Sequence, residues 1–568
     1  MNESRNMVLA LVLSALVLFG WNAVSDRFMP TVTPPSTKVE NGKQVLLPQP
    51  GADVTAAGGE VLRNRAVVLS ETPRIAIRTP SLSGSLSLKG ARIDDMVLLR
   101  HRVTIAKDSP PVRLLSPAGT ADAYFASFGW TGEGVMLPGP DTLWTARGVN
   151  LTPDTPVTLS WDNGAGQTFE IALSIDDNYM IQAQQRVSNR GASAIAVRPY
   201  ALISRTGESK DKSSWTIHTG PIGSFNGKAN YDVDFKDLAV GAPGTRFATT
   251  GGWIGFTDKN WLTAIIPDQK TAIDAGFRAA PGQRYQADAA MPATIVPAGK
   301  AAATGSHLFV GAKEVRLLDR YEEQLGISRF DHAIDWGWFI WFEKPIFYLL
   351  DWLFRMAGNF GVAIILLTVI VRLLMFPIAQ KQFASMASMR ALQPKMKEIQ
   401  EKWKDDKQRQ QQEMLALYQK EKVNPLAGCM PLILQIPIFY ALYKVLLLSV
   451  EMRHQPFILW LKDLSAPDPL TPVNLFGLLP FTPPSFIAIG VLPILLGVTM
   501  WLQQKLNPAP MDEVQQKVFG IMPWIFMVIM APFAAGLQLY WTVSNILTIA
   551  QQKWLYSRHP ALKEASVK

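Results

Sequence analysis

Hydrophobic and polar residues alternate over short runs in the first part of this chain and gather into long apolar blocks in the rest. Across residues 61–317, stretches such as FEIALSID, YMIQAQQRVSN, ATIVPAG and HLFVGAKEVRLL are separated by the turn-rich WDNGAG and AAPGQR. Short runs of period two between turn signals predict an antiparallel β-sandwich with its own core, assigned to residues 61–325. Trp130, Trp144, Trp161 and Trp253 fall in this region. They either line a ligand groove or fill the core, and packing is the better reading for side chains of this size.

Five apolar blocks stand out: 7–24, 360–377, 428–450, 486–502 and 518–550. A membrane helix needs about 20 apolar residues. The last block is long enough for two, and APFAAG interrupts it. Six spans are therefore expected, at 1–28, 358–378, 428–450, 486–504, 518–531 and 535–556. The fifth is so short that the bilayer has to thin around it unless the helix extends beyond the apolar run. The first reads as an uncleaved anchor, because WNAVSD after it offers no small-residue cleavage site.

The remaining segments are polar or amphipathic. Residues 29–60 are rich in Pro, Gly, Thr and Val without periodicity and read as a linker. Residues 326–357 include IDWGWFIWFEKPIFYLLDWLFRM, dense in aromatics yet broken by Asp335, Glu343, Lys344 and Asp351. That combination predicts an amphipathic helix lying in the membrane interface. In 379–427, Phe383, Met386, Met389, Leu392, Met396, Ile399 and Trp403 recur every three or four positions, and Met414, Leu415, Leu417 and Tyr418 repeat the stripe after DDKQR. A two-helix hairpin is expected. Its methionines either pack the helices together or form an adaptable surface for apolar partners.

Charge orients the spans. Residues 378–427 carry ten Lys or Arg against six Asp or Glu, whereas 451–485 carries only Arg453 and Lys462 as cations. By the positive-inside rule the first loop is cytoplasmic and the second is not. The loop 505–517 and the tail 557–568 then lie inside with both termini, and the β region lies outside, in a periplasm. The net charge of +9 adds little to this, and neither does the single cysteine, Cys429. The β region contains no phosphate loop, no zinc-type His/Cys spacing and no HExxH or GxSxG pattern, so neither a cofactor nor a metal is expected.

Arg372 is the residue that asks for chemistry. It lies five residues before Pro377, inside the second span, with Thr368 one turn earlier. Position alone allows it to snorkel to the headgroups. Other spans offer polar residues at comparable depth, namely Gln435 in the third and Gln538, Tyr540, Thr542, Ser544 and Asn545 in the last, and spans two to six contain no acid. An intramembrane cation without a counter-ion, beside polar neighbours, favours a hydrated cavity open to the cytoplasm. Lys444 lies near the outer end of its span, and snorkelling accounts for it.

The stretch TVIVRLLMFPIAQKQFASMASMRALQPKMKEIQEKWKDDKQRQQQEMLALYQKEKVNPLAGCMPLILQIPIFYALY resembles the YidC/Oxa family of membrane protein insertases, of the Gram-negative bacterial type, and the layout matches over essentially the whole chain. The resemblance implies a multi-domain α and β protein: a polytopic helical membrane core of six spans, five of them the insertase core, plus a large periplasmic antiparallel β-sandwich of the supersandwich kind. It implies a substrate groove at Arg372, Thr368, Gln435, Gln538, Tyr540, Trp541 and Asn545, and a substrate-receiving hairpin with Met386, Met389, Met396, Trp403 and Met414. Where family members carry a second tyrosine, this chain has Trp541. Nascent membrane proteins, ribosome-nascent chain complexes, the Sec translocon, the signal recognition particle with its receptor, and the lipid bilayer are the implied partners, with no nucleic acid bound specifically and no covalent catalysis. The implied location is the bacterial inner membrane. A secondary transporter would show intramembrane acids and repeated halves, which are absent. A structural envelope anchor would depend on the β domain, whereas an insertase would keep core activity without residues 60–310.

Overall fold

The computed structural model describes residues 32–33, 37–40, 43–46, 62–211, 217–242, 244–380, 388, 392–404, 406–421, 430–476, 478–479, 481, 483–484, 488–506 and 513–558. The expected first span and the end of the tail lie outside the described residues. The chain divides into two compact units, Met1–Asp335 and Trp336–Lys568.

The first unit is built on two large sheets. One has nine strands, with Lys300–Ala312 and Met180–Asn189 paired at its centre and Lys228–Asn230 and Thr145–Arg147 at its edges. The other has eleven, with Ile195–Thr206 paired to Tyr124–Glu133 in its middle. Pairing between the strands of both is antiparallel except between Arg74–Arg78 and Asn150–Leu151, and an isolated parallel bridge joins Val240 to Ala279. The period-two pattern is visible directly in Gln167–Ile175, where alternate residues are buried and Phe169, Ile171, Leu173 and Ile175 point inward. Phe225 of the first sheet stacks on Phe247 of the second at 4.0 Å between ring centroids, and Phe277 meets Phe225 edge-on at 6.5 Å. These rings close the space between the sheets. Trp130, Trp144 and Trp253 are buried and belong to the core, whereas Trp161 is half-buried. The segment read as a linker contains a small hairpin, Thr37–Glu40 paired with Lys43–Leu46.

Helix α1 (Arg65–Ser70) precedes the strands of the two large sheets, and α2 (Val315–Leu325) follows them. The β unit extends beyond the expected end at 325, because Phe330 is buried and meets Trp253 edge-on at 5.6 Å. Nearby, His218 is buried, with Nε2 2.7 Å from the Pro221 carbonyl oxygen. Burial holds its pKa below the ordinary value; Asp335 and Asp234 oppose that shift and Lys313 adds to it. Burial lowers His307 in the same way, against Asp268. The folded unit therefore keeps both rings neutral while the unfolded chain takes up protons near pH 6.5. The resulting stability is present above about pH 6.5 and is lost as pH falls towards the lowered folded values. Thermal unfolding of the full chain should show the β unit weakening from pH 7.5 to 5, with part of that dependence absent in His218→Gln.

The second unit is helical: α3 (Ile340–Ala357), α4 (Phe360–Leu374), α5 (Gln393–Lys402), α6 (Lys407–Lys420), α7 (Met430–Leu448), α8 (Val491–Leu506), α9 (Glu513–Met530) and α10 (Ala535–Arg558). Among the described residues no helix is both long and apolar enough to cross a membrane unaided. α4 has 15 residues and α8 has 16, about 22 and 24 Å at 1.5 Å per residue, against a hydrocarbon core of about 30 Å. α9 begins five residues before the apolar run, at Glu513, so the expected fifth span is extended by a polar turn rather than ending short. α3 turns its charges the other way from a simple interfacial helix: Glu343 and Asp351 are buried, while Trp341, Trp352 and Met356 are exposed. Lys444 is also buried, at 2 % exposure, and does not snorkel outward.

The segment 453–471 ties the α4, α8 and α10 N-termini together. Asn359, the N-cap of α4, donates from Nδ2 to the Phe457 carbonyl at 3.0 Å. Gly361 leaves room for the Phe457 ring, which a Cβ there would meet at 2.0 Å. The N–H groups of Ala535 and Gly536 donate to the carbonyls of Ala466 and Leu464 at 2.8 and 2.9 Å. Asp468 is buried, and its carboxylate accepts from Trp460 Nε1 and the Leu470 N–H at 3.0 Å each and from the Leu492 N–H at 2.8 Å. The bonds from Leu492, Ala535 and Gly536 satisfy N–H groups that helix starts leave without intrahelical partners.

Candidate functional site

Residues four apart share a helix face, and on α10 this rule aligns Tyr540, Ser544 and Thr548, all buried. On α4 it aligns Ile364, Thr368 and Arg372. The two faces meet where Arg372 Nε donates to Ser544 Oγ at 3.1 Å, with Nη2 donating to the same oxygen. One turn earlier on α10, the Tyr540 hydroxyl accepts from Gln435 Nε2 of α7 at 2.8 Å. Thr548 Oγ1 donates to the Ser544 carbonyl at 2.7 Å. A single face of α10 thus links α4 and α7 through a polar column.

Arg372 lies in the last turn of α4, where the carbonyl end of the helix favours a cation. A guanidinium carries five N–H donors in a rigid fork. Here two of them converge on one hydroxyl, and among the described residues no carboxylate pairs with it. Among the described residues the rest of the fork makes no further hydrogen bond.

The other expected groove residues divide. Gln435 and Tyr540 belong to the column. Trp541 lies beside it, packed between Phe439 and Phe526 at 4.3 and 4.6 Å between ring centroids. Thr368 shares the face but is buried, and its Oγ1 donates to the Ile364 carbonyl of its own helix at 2.6 Å, so its hydroxyl is not presented to a ligand. Gln538 serves the turn between α9 and α10: its Nε2 donates to the carbonyls of Met530, Ala531 and Phe533 at 2.9, 3.3 and 2.8 Å. Asn545 Nδ2 donates to Thr499 Oγ1 of α8 at 3.2 Å, on a different face of α10. Ser544 was one polar position among several in the sequence; its spacing of four from Tyr540 was the signal that could have singled it out.

In the hairpin, Met396 and Met414 are buried with Leu392, against Ile399, Leu417 and Tyr418. These methionines hold α5 to α6 and form no free surface. Trp403 carries the Arg409 guanidinium over its ring at 4.4 Å. Met386 and Met389 lie outside the described residues.

In the β unit, a cavity of about 410 Å³ is lined by Arg74, Lys89, Arg92, Arg284, Glu71 and Asp94 among others. Ion pairs run along its wall, Arg63 with Glu71 at 2.7 Å, Lys89 with Asp141 at 2.8 Å, and Arg74 with Asp94. No group of acids, histidines and cysteines suited to a metal occurs among the described residues.

Known proteins resemble the chain along its whole length. The family described as YidC periplasmic domain matches residues 74–349, and the 60Kd inner membrane protein family matches residues 352–563. Over 567 residues the chain is 54% identical to a membrane protein insertase YidC of Zymomonas mobilis, covering 99% of this chain and 97% of that one. Over 578 residues it is 45% identical to a membrane protein insertase YidC of Methylobacterium nodulans, covering 98% and 96%. A crystal structure of an active YidC insertase with its first transmembrane domain resolved aligns over 85% of this chain and 95% of its own, at 18% identity and a TM-score of 0.37.

Proposed function

The chain belongs to the YidC family of membrane protein insertases, and from that premise we propose that the α4–α10 face carries the polar part of an incoming membrane protein. The observation that supports this reading is the Arg372 guanidinium resting on the Ser544 hydroxyl instead of on an acid. A cation held that way is oriented but not neutralised, so an acidic or polar segment of a nascent chain finds an attractive site part-way into the bilayer. Apolar segments leave water for lipid beside it, and their transfer supplies most of the driving force. No bond is made or broken.

On this reading α4, α7, α8, α9 and α10 are the five core spans, residues 7–24 are the first, both termini are cytoplasmic, and the membrane is the bacterial inner membrane. The short helices fit a locally thinned bilayer. The Tyr540 hydroxyl and Gln435 extend the polar column beyond Arg372, and Trp541 with Phe439 and Phe526 gives an aromatic wall for the apolar part of a substrate. The family resemblance extends the proposal to ribosome-nascent chain complexes, the Sec translocon, and the signal recognition particle and its receptor as partners.

A photo-crosslinker placed at Trp541 should capture ribosome-bound nascent chains of a membrane protein, and one placed at Lys236 of the β unit should not. Equal capture at both positions, or none at Trp541, would overturn the proposed site.

A further inference from the structure

The stretch after α7 has inverted polarity. Its carboxylates are turned into the protein: Asp468 holds the N-terminus of α8, and Asp463 accepts from the N–H groups of His454 and Ser465 at 3.2 and 2.8 Å and from Ser465 Oγ at 2.6 Å. Leu461 and Leu464 are buried, but many of its other large apolar side chains are turned out. Leu459 is 79% exposed and Leu478 is 82% exposed, and Ile458, Leu475, Phe476, Leu479 and Phe481 are exposed with them. A water-facing loop has the opposite arrangement, and exposed apolar side chains in this number mark a contact.

The backbone holds these side chains out. Leu459, Leu475 and Phe476 adopt φ of 53°, 50° and 58°, a region that branched and bulky residues rarely occupy. The strained turn is tied by the N–H groups of Leu475, Phe476 and Leu479, which donate to the carbonyls of Pro472, Thr471 and Asn474 at 3.0, 2.9 and 3.1 Å. Strain of this sort persists where the surrounding structure over-determines it.

We propose that the exposed side chains of Ile458, Leu459, Leu475, Phe476, Leu478, Leu479 and Phe481 are embedded in the outer leaflet of the lipid bilayer and complete the apolar thickness that the short helices leave unfilled. Lipid is the occupant favoured by continuity. Phe457 and the loop are bonded to the N-termini of α4, α8 and α10, and α8, which starts at this loop, exposes Leu495, Val498 and Leu502 along its length. Lys462 is exposed and stands in the sequence between the two apolar clusters, suited to a lipid phosphate. The proposal rests on the helical unit being the membrane body.

Its test is site-directed spin labelling of the full chain in proteoliposomes, in a Cys429→Ser background, with single cysteines at Leu459, Leu478, Val498 of α8 and Lys236 of the β unit. The loop positions should match Val498, with collisions with oxygen severalfold favoured over those with a water-soluble nickel chelate, and Lys236 should show the reverse. If Leu459 and Leu478 behave like Lys236, the loop is aqueous and the proposal fails. If they are shielded from both reagents, protein covers them, either another part of this chain or a second copy, and the proposal fails again. If Val498 itself does not favour oxygen, the assignment of the membrane body has failed instead.

Discussion

Replacing Arg372 with alanine should lower insertion of a substrate whose translocated tail is acidic by about tenfold, while a matched substrate with a neutral tail inserts near the normal rate. Opposite charges about 4 Å apart attract by about 4 kcal/mol at an effective dielectric constant of 20. Desolvation of both groups offsets much of that, and a residue of about 1.4 kcal/mol is a factor of ten. The readout is protease protection in proteoliposomes with the two substrates run side by side. Arg372→Lys should recover part of the effect, because an ammonium keeps the charge but loses the planar fork. Ser544→Ala leaves the cation in place and should discriminate tails better than Arg372→Ala does. An equal loss on both tails would mean that Arg372 merely holds α4 to α10.

Asp468→Ala should destabilise the helical unit by about 3 to 5 kcal/mol, because one buried carboxylate accepts three hydrogen bonds and its loss strands the donors. Those donors include the start of α8, and the same segment is bonded to the starts of α4 and α10, so the damage should spread through the unit. Thermal unfolding in detergent should show a fall of several degrees, and Asp468→Asn, which keeps one acceptor oxygen and turns the other into a donor, should lie between. If alanine leaves the midpoint unchanged, the segment is a passive connection and the three helices are held by their own packing.

How much of this could be read in advance depended on whether the signal was local. The alternating burial of Gln167–Ile175 is written in consecutive residues, and the two-sheet β unit followed from many such runs. Arg372 was legible because a cation among apolar residues is rare at any site. Its partner was not, since Ser544, Thr542, Gln538 and Asn545 look alike until the helix faces are fixed, and Gln538 and Asn545 turned out to close a turn and to bridge to α8. Charges misled where burial was decided at a distance: Glu343, Asp351 and Lys444 read as groups seeking water and are buried. The methionine stripe of the hairpin allowed two outcomes, and periodicity cannot tell a face that meets its neighbour from one that waits for a guest. The segment 453–471 had no pattern at all, because its role lies in carbonyls and carboxylates that meet helix starts far along the chain.

The choice of a hydroxyl to steady Arg372 also has a kinetic side. Had a carboxylate stood at position 544, each visiting acid would have to displace a resident rival, and the charge would be spent before any guest arrived. On the proposed reading, arrival at serine requires no exchange of ions, and departure returns the guanidinium to an uncharged partner. The proposed site would then hold any one passenger only briefly, as handling many different chains requires.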